Sequence, residues 1–301
     1  MSAGNKNYDA AIIGGGPAGV SCAVWLARLG LSPVLVEASG SIGGLCRRNP
    51  FTDEWNASLP GMTGPQVADN LALSLEQAMV PTLLSCRVES VRPRSDAFIV
   101  SGGGLAEPLQ ARYVVVATGV RARTLSGQNV PGDAAIEGVL VGPGAHVVAQ
   151  DFIGKRVAVL GGGDNALENA LYALERGAAD VRVYARSLRA QRQFVRRVAP
   201  ESILQGPYTV DATARTINGE PFDVIMVFYG WEPCARFADA LGLQRSARGF
   251  IATDMQTAQT SCAGVYAIGE VAQRQHPCVV TALADGVTAA KAIQARIEVS
   301  A

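Results

Sequence analysis

Two stretches of this chain, AAIIGGGPAGVSCA at residues 10–23 and VAVLGGGDNALENA at residues 157–170, follow one plan: an apolar run, three glycines, then a helical pattern. No other feature constrains the fold as tightly. An apolar run that halts at glycines and resumes with helical periodicity reads as strand, tight turn and helix, and a following strand closes a βαβ unit. In the first copy the strand spans Tyr8 to Ile13, the helix Pro17 to Leu29 with Gly30 as its stop, and the second strand Pro33 to Glu37. In the second copy the strand spans Arg156 to Leu160, the helix Asn165 to Arg176 ahead of Gly177, and the closing strand Asp180 to Tyr184.

Such a unit is suited to a pyrophosphate. Gly14 permits the tight turn, Gly16 lets the phosphates approach the backbone, and Gly19 lets the helix lie close to the sheet. Pro17 and Ala18 open that helix, whose N-terminus faces the phosphate charge. Glu37, ending the second strand, stands where a carboxylate accepts hydrogen bonds from an adenosine ribose. Gly161, Gly163 and Ala166 repeat these positions, with Asp164 and Asn165 at the helix start. The second unit, however, ends in YARSLRAQ, residues 184–191, with Arg186 and Arg189 and no carboxylate. A carboxylate there would repel the 2′-phosphate that distinguishes NADP from NAD, whereas guanidinium groups bind it bidentately. The pattern favours NADP in the second site, beside one dinucleotide held permanently in the first. Two other readings of Arg182, Arg186, Arg189, Arg192, Arg196 and Arg197 stay open: a solvated helix face, and a stripe that docks an acidic electron-carrier protein.

At 301 residues, with 49% hydrophobic residues and 33 glycines, the chain suits two α/β domains of ordinary size. Its 26 basic and 26 acidic residues cancel, so the global field that draws proteins to DNA or anionic membranes is missing, and no nucleic acid is expected as a partner. The opening MSAGNKNYDAAIIGGG has no basic start, long apolar run or small-residue cleavage site. No apolar run approaches the roughly 20 residues that cross a bilayer. A cytoplasmic protein without membrane attachment is expected. The cysteines, at 22, 46, 86, 234, 262 and 278, form no Cys-x-x-Cys pair and no Cys/His cluster at zinc spacing. No metal site is expected, and most of them read as small buried hydrophobes.

Further motifs extend the pattern. YVVVATG at Tyr113–Gly119 is a buried strand ending in Ala-Thr-Gly, and GVYAIGE at Gly264–Glu270 leads through HPCVVTALADGVTAAKAI into a last amphipathic helix. GGL at Gly43–Leu45 precedes LPGMTGPQV at Leu59–Val67. With both glycine loops, and in this order, the chain resembles the low-molecular-weight thioredoxin reductase family of flavoproteins over almost its whole length. The resemblance implies an α/β fold of two Rossmann-like dinucleotide-binding domains, βαβ units with three-stranded β extensions, the NADP-binding domain being inserted into the FAD-binding domain. It places the FAD-binding pieces at residues 1–118 and 236–301 and the insert at 119–235. It implies a homodimer, FAD and NADP as cofactors, and an insert that swivels on GVRARTLSGQNVPG near Val120 and FYGWEPCARF near Phe228. Gly44, Leu45, Val88, Thr118, Gly119, Gly269, Glu270, Cys278 and Val279 are the further positions it implies for FAD. Glu270 stands where the family usually has an aspartate on the ribityl chain. A helix starting near Cys278 aims free N–H groups and a positive dipole end at the flavin's pyrimidine edge, where negative charge develops on reduction.

One part of the family pattern is missing. Thioredoxin reductases carry a redox-active Cys-x-x-Cys shortly before the second glycine loop; this chain reads GVLVGPGAHVVAQDFIGKRVAV there, with Gly142, Pro143, Gly144, Ala145 and His146 and no thiol. Disulfide exchange needs a thiolate and a second sulfur to resolve the mixed disulfide, so reduction of thioredoxin by the family route is not expected. Three side chains remain as catalytic candidates. Cys46, after the glycine pair near the flavin, suits a single-thiol cycle. Cys278 sits at a helix N-terminus, which favours a thiolate, and His276 is a better-placed proton donor than His146. The expected activity is that of an NADPH-dependent flavoenzyme whose electrons pass to a quinone, a small molecule, oxygen or a redox protein. Ferredoxin-NADP reductases of the thioredoxin reductase type lack the pair as well. Two alternatives are a flavoprotein that exchanges electrons with an acidic carrier such as ferredoxin without NADPH, and a non-catalytic flavin-binding sensor.

Overall fold

The computed structural model describes residues 7–53, 55–125 and 136–300, and the chain divides into two units, Met1–Arg121 with Glu232–Ala301, and Ala122–Trp231. In the first unit β1 (Asn7–Ile13), β2 (Pro33–Val36), β3 (Thr82–Leu83), β4 (Arg87–Arg94), β5 (Ala97–Gly103) and β6 (Leu109–Val116) form a sheet in the order β3-β2-β1-β6-β5-β4. β1 runs parallel to β2 and β6, with Ala11 opposite both Val34 and Val114. The first half of β6 pairs with β5, antiparallel, and its second half with the parallel strand Val265–Ala267.

These strands alternate between two cores. Ala10, Ile12, Leu35, Tyr113 and Val115 point to one face, and Ala11, Ile13, Val34, Val114 and Val116 to the other; all are buried. Strands covered on both faces read as continuous apolar runs, which is how AAII and YVVV read. The first face is covered by α1 (Pro17–Arg28), by α3 (Gly64–Gln77) beyond the single turn α2 (Leu45–Arg48), and by the C-terminal helix Val279–Ser300. α3 begins on a capping box, in which Gln66 reaches back to the Thr63 N–H at 2.8 Å. The C-terminal helix crosses α1 closely because of Gly286, where a Cβ would lie 2.6 Å from Ala18 O. Val91, Phe98, Val100 and the segment Arg236–Leu241 cover the second face. Each fully buried Leu or Ile in such a core contributes about 1.5–3 kcal/mol.

The chain leaves this unit through β7 (Val120–Ala122). The second unit contains β8 (Val139–Val141), β9 (Arg156–Leu160), β10 (Asp180–Ala185), β11 (Ile203–Gln205) and, after the short strands β12 (Val210–Asp211), β13 (Thr216–Ile217) and β14 (Glu220–Pro221), β15 (Val224–Val227). Five of these make an all-parallel sheet in the order β11-β10-β9-β15-β8. Following the one-turn α4 (Ala145–Val148), α5 (Asp164–Glu175) sets Leu167 and Ala170 against Val157, Val159 and Val183 on one face. The antiparallel meander β12-β13-β14 covers the other, with Ile217 and Phe222 against Leu160, Tyr184 and Ile225. The chain returns through β16 (Trp231–Pro233), which pairs with β7. Residues 126–132 of the expected hinge around Val120 lie outside the described residues.

One of the open readings of the arginines is excluded. The basic residues from Arg182 to Arg197 do not share a helix face. Arg182 lies in β10, with Nη1 2.7 Å from Glu220, and Arg197 is paired with Glu175 at 3.0 Å. Only Arg192–Val195 is helical, as the four-residue α6. The intervening loop is drawn onto the second glycine turn, where Gly162 O accepts the N–H groups of Arg189 at 2.6 Å and Ala190 at 2.9 Å. Among the described residues no helix is long and apolar enough to cross a membrane.

Candidate functional site

β1 ends at Ile13 and α1 begins at Pro17, so Gly14, Gly15 and Gly16 make the whole turn. Gly14 has φ +112°, and a Cβ there would lie 2.4 Å from Ala117 O. A Cβ on Gly19 would lie 2.0 Å from Gly14 O, so only glycine lets the helix start this close to the turn. Gly16 differs: a Cβ there would meet nothing within 4 Å. Gly16 is also the N-cap of α1 and no side chain caps the helix, so the first-turn amides are left facing open space. An uncapped N-terminus with no side chain over it accepts a phosphate. Glu37 borders this turn, its Oε2 accepting the Gly15 N–H and its Oε1 the Ser39 N–H, both at 2.7 Å. Oε1 also accepts the Ser39 hydroxyl at 2.7 Å, which leaves Oε2 with a lone pair for a ribose hydroxyl.

Other expected positions converge on the same turn. Gly43 donates its N–H to Gly15 O at 2.8 Å. A Cβ on Gly44 would lie 3.2 Å from Gly16 Cα, and Leu45 follows as the first residue of α2. Ala117 N–H reaches Ile13 O at 2.8 Å, and next to it Thr118 Oγ1 donates to Cys234 O at 2.5 Å while Gly119 O accepts the Cys234 N–H at 3.0 Å. A Cβ on Gly269 would lie 2.9 Å from Ala18 Cβ, which brings the turn Gly269–Val271 against the start of α1. Val88, by contrast, is buried in the core on the face of the sheet opposite α1.

The catalytic candidates fare differently. Burial raises the Glu270 carboxyl above the ordinary range. Burial first, then the charges of Asp53 and Glu270, push the Cys46 thiol up to about 11, which disfavours its thiolate form. Cys278 is committed to the helix it precedes. Its N–H donates to Thr281 Oγ1 at 3.2 Å and its Sγ accepts the Thr281 N–H at 3.5 Å, a reciprocal cap of the kind Thr63 and Gln66 make. Thr281's amide is thereby taken, and those of Val279 and Val280 remain without an intrahelical acceptor. His276 is exposed, and its carbonyl accepts the Thr281 hydroxyl at 2.6 Å.

Two residues that the sequence reading passed over hold this region together. The side chains of Arg274 and Asp285 are 3% and 7% exposed and 2.5 Å apart. Asp285 Oδ2 accepts the Gly269 N–H at 3.0 Å, while Arg274 Nη2 donates to the carbonyls of Asp254 and Met255. The pair thus fixes the turn that carries Glu270. Arg274 Nε has no partner among the described residues, and a cavity of about 10 Å³ adjoins it, lined by Glu270, Cys278 and Thr281 among others; that is room for one water. The missed signal was a lone acid in the apolar stretch VVTALADG, four residues before the fully buried Ala289.

The second turn repeats the first. A Cβ on Gly161 would lie 2.3 Å from Phe228 O and one on Gly162 2.1 Å from Ser187 O, whereas one on Gly163 would meet nothing within 4 Å. α5 likewise starts at Gly163 without a side-chain cap, and Ala166, fully buried, stands in the position of Gly19. Asn165 lies beside Asp164 at the helix start, but the Asp164 carboxylate is already engaged. It accepts the Gln191 N–H at 2.7 Å and Gln191 Nε2 at 2.9 Å, which fastens the loop of Arg186 and Arg189 to the start of α5. Both arginines are exposed, and neither has an ion-pair partner among the described residues.

Comparison with known proteins agrees with this geometry. The family described as pyridine nucleotide-disulphide oxidoreductase matches residues 8–286. A ferredoxin–NADP reductase of Limosilactobacillus fermentum is 33% identical over 288 residues, which cover 88% of this chain and 86% of that one. The bifunctional thioredoxin reductase/thioredoxin of Mycobacterium leprae is 29% identical over 96% of this chain, which spans 66% of that protein's length. The crystal structure of Lactococcus lactis thioredoxin reductase in its FR conformation superposes with a TM-score of 0.78 at 26% identity, covering 98% of this chain and 100% of that one.

Proposed function

The chain belongs to the pyridine nucleotide-disulphide oxidoreductase family, and from that membership we propose that it is an FAD-dependent enzyme that takes electrons from NADPH and passes them to an acceptor other than a dithiol. One observation carries the reading: two open, uncapped glycine turns of the same build end in opposite charges, Glu37 in one unit and Arg186 with Arg189 in the other. When bound, FAD accepts two electrons from reduced nicotinamide and releases them to an acceptor. The first unit holds it. The amides of Gly16, Ala18 and Gly19, past Pro17, receive the pyrophosphate; Glu37 accepts a ribose hydroxyl; Glu270 orients the polyol chain. Gly44, Leu45, Thr118 and Gly119 wall the same turn, and the amides of Val279 and Val280 stabilise negative charge at the start of the C-terminal helix. In the second unit the amides at Gly163 and Asn165 take the nicotinamide dinucleotide, with the arginines on its 2′-phosphate.

The sulfur chemistry supports an acceptor other than a dithiol. All six cysteines are free, burial pushes the Cys46 thiol up, and the sequence holds no Cys-x-x-Cys pair, so the resolving sulfur that dithiol exchange needs is missing. The relative at 33% identity is a ferredoxin–NADP reductase, which supports NADP as the nucleotide and a redox protein as one acceptor class. The working form is a homodimer.

Anaerobic addition of NADPH to the flavin-loaded protein tests this. The flavin absorbance bleaches, and quinone or ferredoxin, not thioredoxin, restores it catalytically. A flavin that keeps its colour, or thioredoxin reduced at the usual enzymatic rates of about 1–1,000 per second, would overturn it.

A further inference from the structure

Two phenol hydroxyls in the second unit have no part in the scheme above. Tyr208 follows β11 and Tyr229 follows β15, so both stand beyond the C-terminal ends of parallel strands, where sheets of this type bind ligands. Their hydroxyls are 3.2 Å apart, and neither has another hydrogen-bond partner among the described residues. Gly206 donates its N–H to Ala185 O at 3.0 Å, and the rings of Tyr208 and Tyr184 are 5.7 Å apart. This sets Tyr208 beside the end of β10, which Arg186 leaves, and the charge of Arg186 reaches both phenols. On the other side, Tyr229 directly follows Phe228, whose carbonyl closes against Gly161.

Two hydroxyls carry two protons, and their mutual bond uses one. The other remains a donor in a half-buried place, with a guanidinium nearby. Burial raises both phenols, so they stay protonated, and the free hydroxyl donates to an anion without repelling it. On a dinucleotide, the anion met at the end of the second strand of a βαβ unit is the ribose 2′-phosphate. We propose that the Tyr208–Tyr229 hydroxyl pair, with Arg186, forms a phosphate-selecting subsite and determines preference for NADPH over NADH. The proposal rests on the assignment of the second unit to NADPH.

Calorimetry on the flavin-loaded full chain tests it, with 2′,5′-ADP and 5′-AMP as probes that differ only in the 2′-phosphate. Tyr208→Phe with Tyr229→Phe keeps both rings and removes both hydroxyls. The double variant binds 2′,5′-ADP on the order of tenfold more weakly and 5′-AMP unchanged, and the single variant with the larger loss identifies the hydroxyl that faces the phosphate. Unchanged affinity for 2′,5′-ADP in the double variant, or equal losses for both probes, overturns the proposal. Arg186→Ala separates it from the reading on which it rests. A parent chain that binds the two probes equally refutes NADPH as the nucleotide. A preference for 2′,5′-ADP that Arg186→Ala abolishes and the double Phe variant keeps refutes the tyrosines alone.

Discussion

Burial raises the Glu270 carboxyl above the ordinary glutamate range, so over that interval the folded chain holds a proton that the unfolded chain has released. Stability therefore falls as pH rises from the ordinary glutamate value to the raised one, and stays lower above it. Glu270→Gln removes the ionisation. The variant, free of flavin, is expected to be more stable than the parent at pH 7 to 8 and equal to it below the ordinary carboxylate range, where both folded and unfolded parent chains are protonated. Urea unfolding across that range checks this, and a stability difference that does not change with pH sinks it. Asp285 is also raised, burial outweighing Arg274, but it is common to both chains and cancels. On the proposed function the same substitution weakens FAD binding, because a carboxylate is a stronger acceptor for polyol hydroxyls than an amide. A buried acid retained at a cost to the apo fold is the pattern of a residue kept for its ligand.

At the scale of the element, the two glycine turns separate what folding requires from what binding requires. A Cβ on Gly19 would lie 2.0 Å from Gly14 O, and one on Gly16 would meet nothing within 4 Å. Gly19→Ala must displace backbone and is expected to cost about 1–3 kcal/mol in urea unfolding. Gly16→Ala is expected to leave stability within about 0.5 kcal/mol and to weaken FAD by tenfold or more, since its methyl group stands over the free amides. Equal stability losses for the two variants, or unimpaired FAD binding by Gly16→Ala, would show the open space to be irrelevant. These turns were legible in the sequence because their chemistry is local: the spacing of Gly14, Gly16 and Gly19 dictates strand, turn and helix without reference to the rest of the chain. The loop after β10 was not. Whether Arg182 to Arg197 form a helix face depends on Asp164 capturing Gln191 and Gly162 capturing Arg189, and no periodicity records such bonds. The cap at Cys278 was not legible for a similar reason: its sulfur accepts the Thr281 N–H, which the usual Ser, Thr, Asp and Asn preferences do not signal.

For the molecule as a whole, the order of motifs made an inserted second βαβ unit legible, because two glycine turns of one design need two sheets and a sheet can be interrupted by an insertion without losing its register. The ion pair of Arg274 and Asp285, which fixes the Gly269 turn, escaped notice because its value lies in burial, which only the assembled fold creates. Each unit has its own core: Ile12, Leu26, Tyr266 and Ile293 in the first, Val157, Leu167, Val183 and Met226 in the second. Two cores joined by the short crossings β7 and β16 fold as separate domains do, so a single two-state transition is not expected. Calorimetric melting of the flavin-free chain should show two transitions. A ligand present at 100 times its dissociation constant stabilises the domain that binds it by about 2.7 kcal/mol, which for units of this size raises a melting temperature by several degrees. FAD is expected to move one transition and 2′,5′-ADP the other. Gly16→Ala should suppress only the FAD shift, and Arg186→Ala only the shift with 2′,5′-ADP. If both ligands raise the same transition, the two dinucleotide sites do not belong to separate units, and the opposite charges at Glu37 and Arg186 lose the meaning given to them.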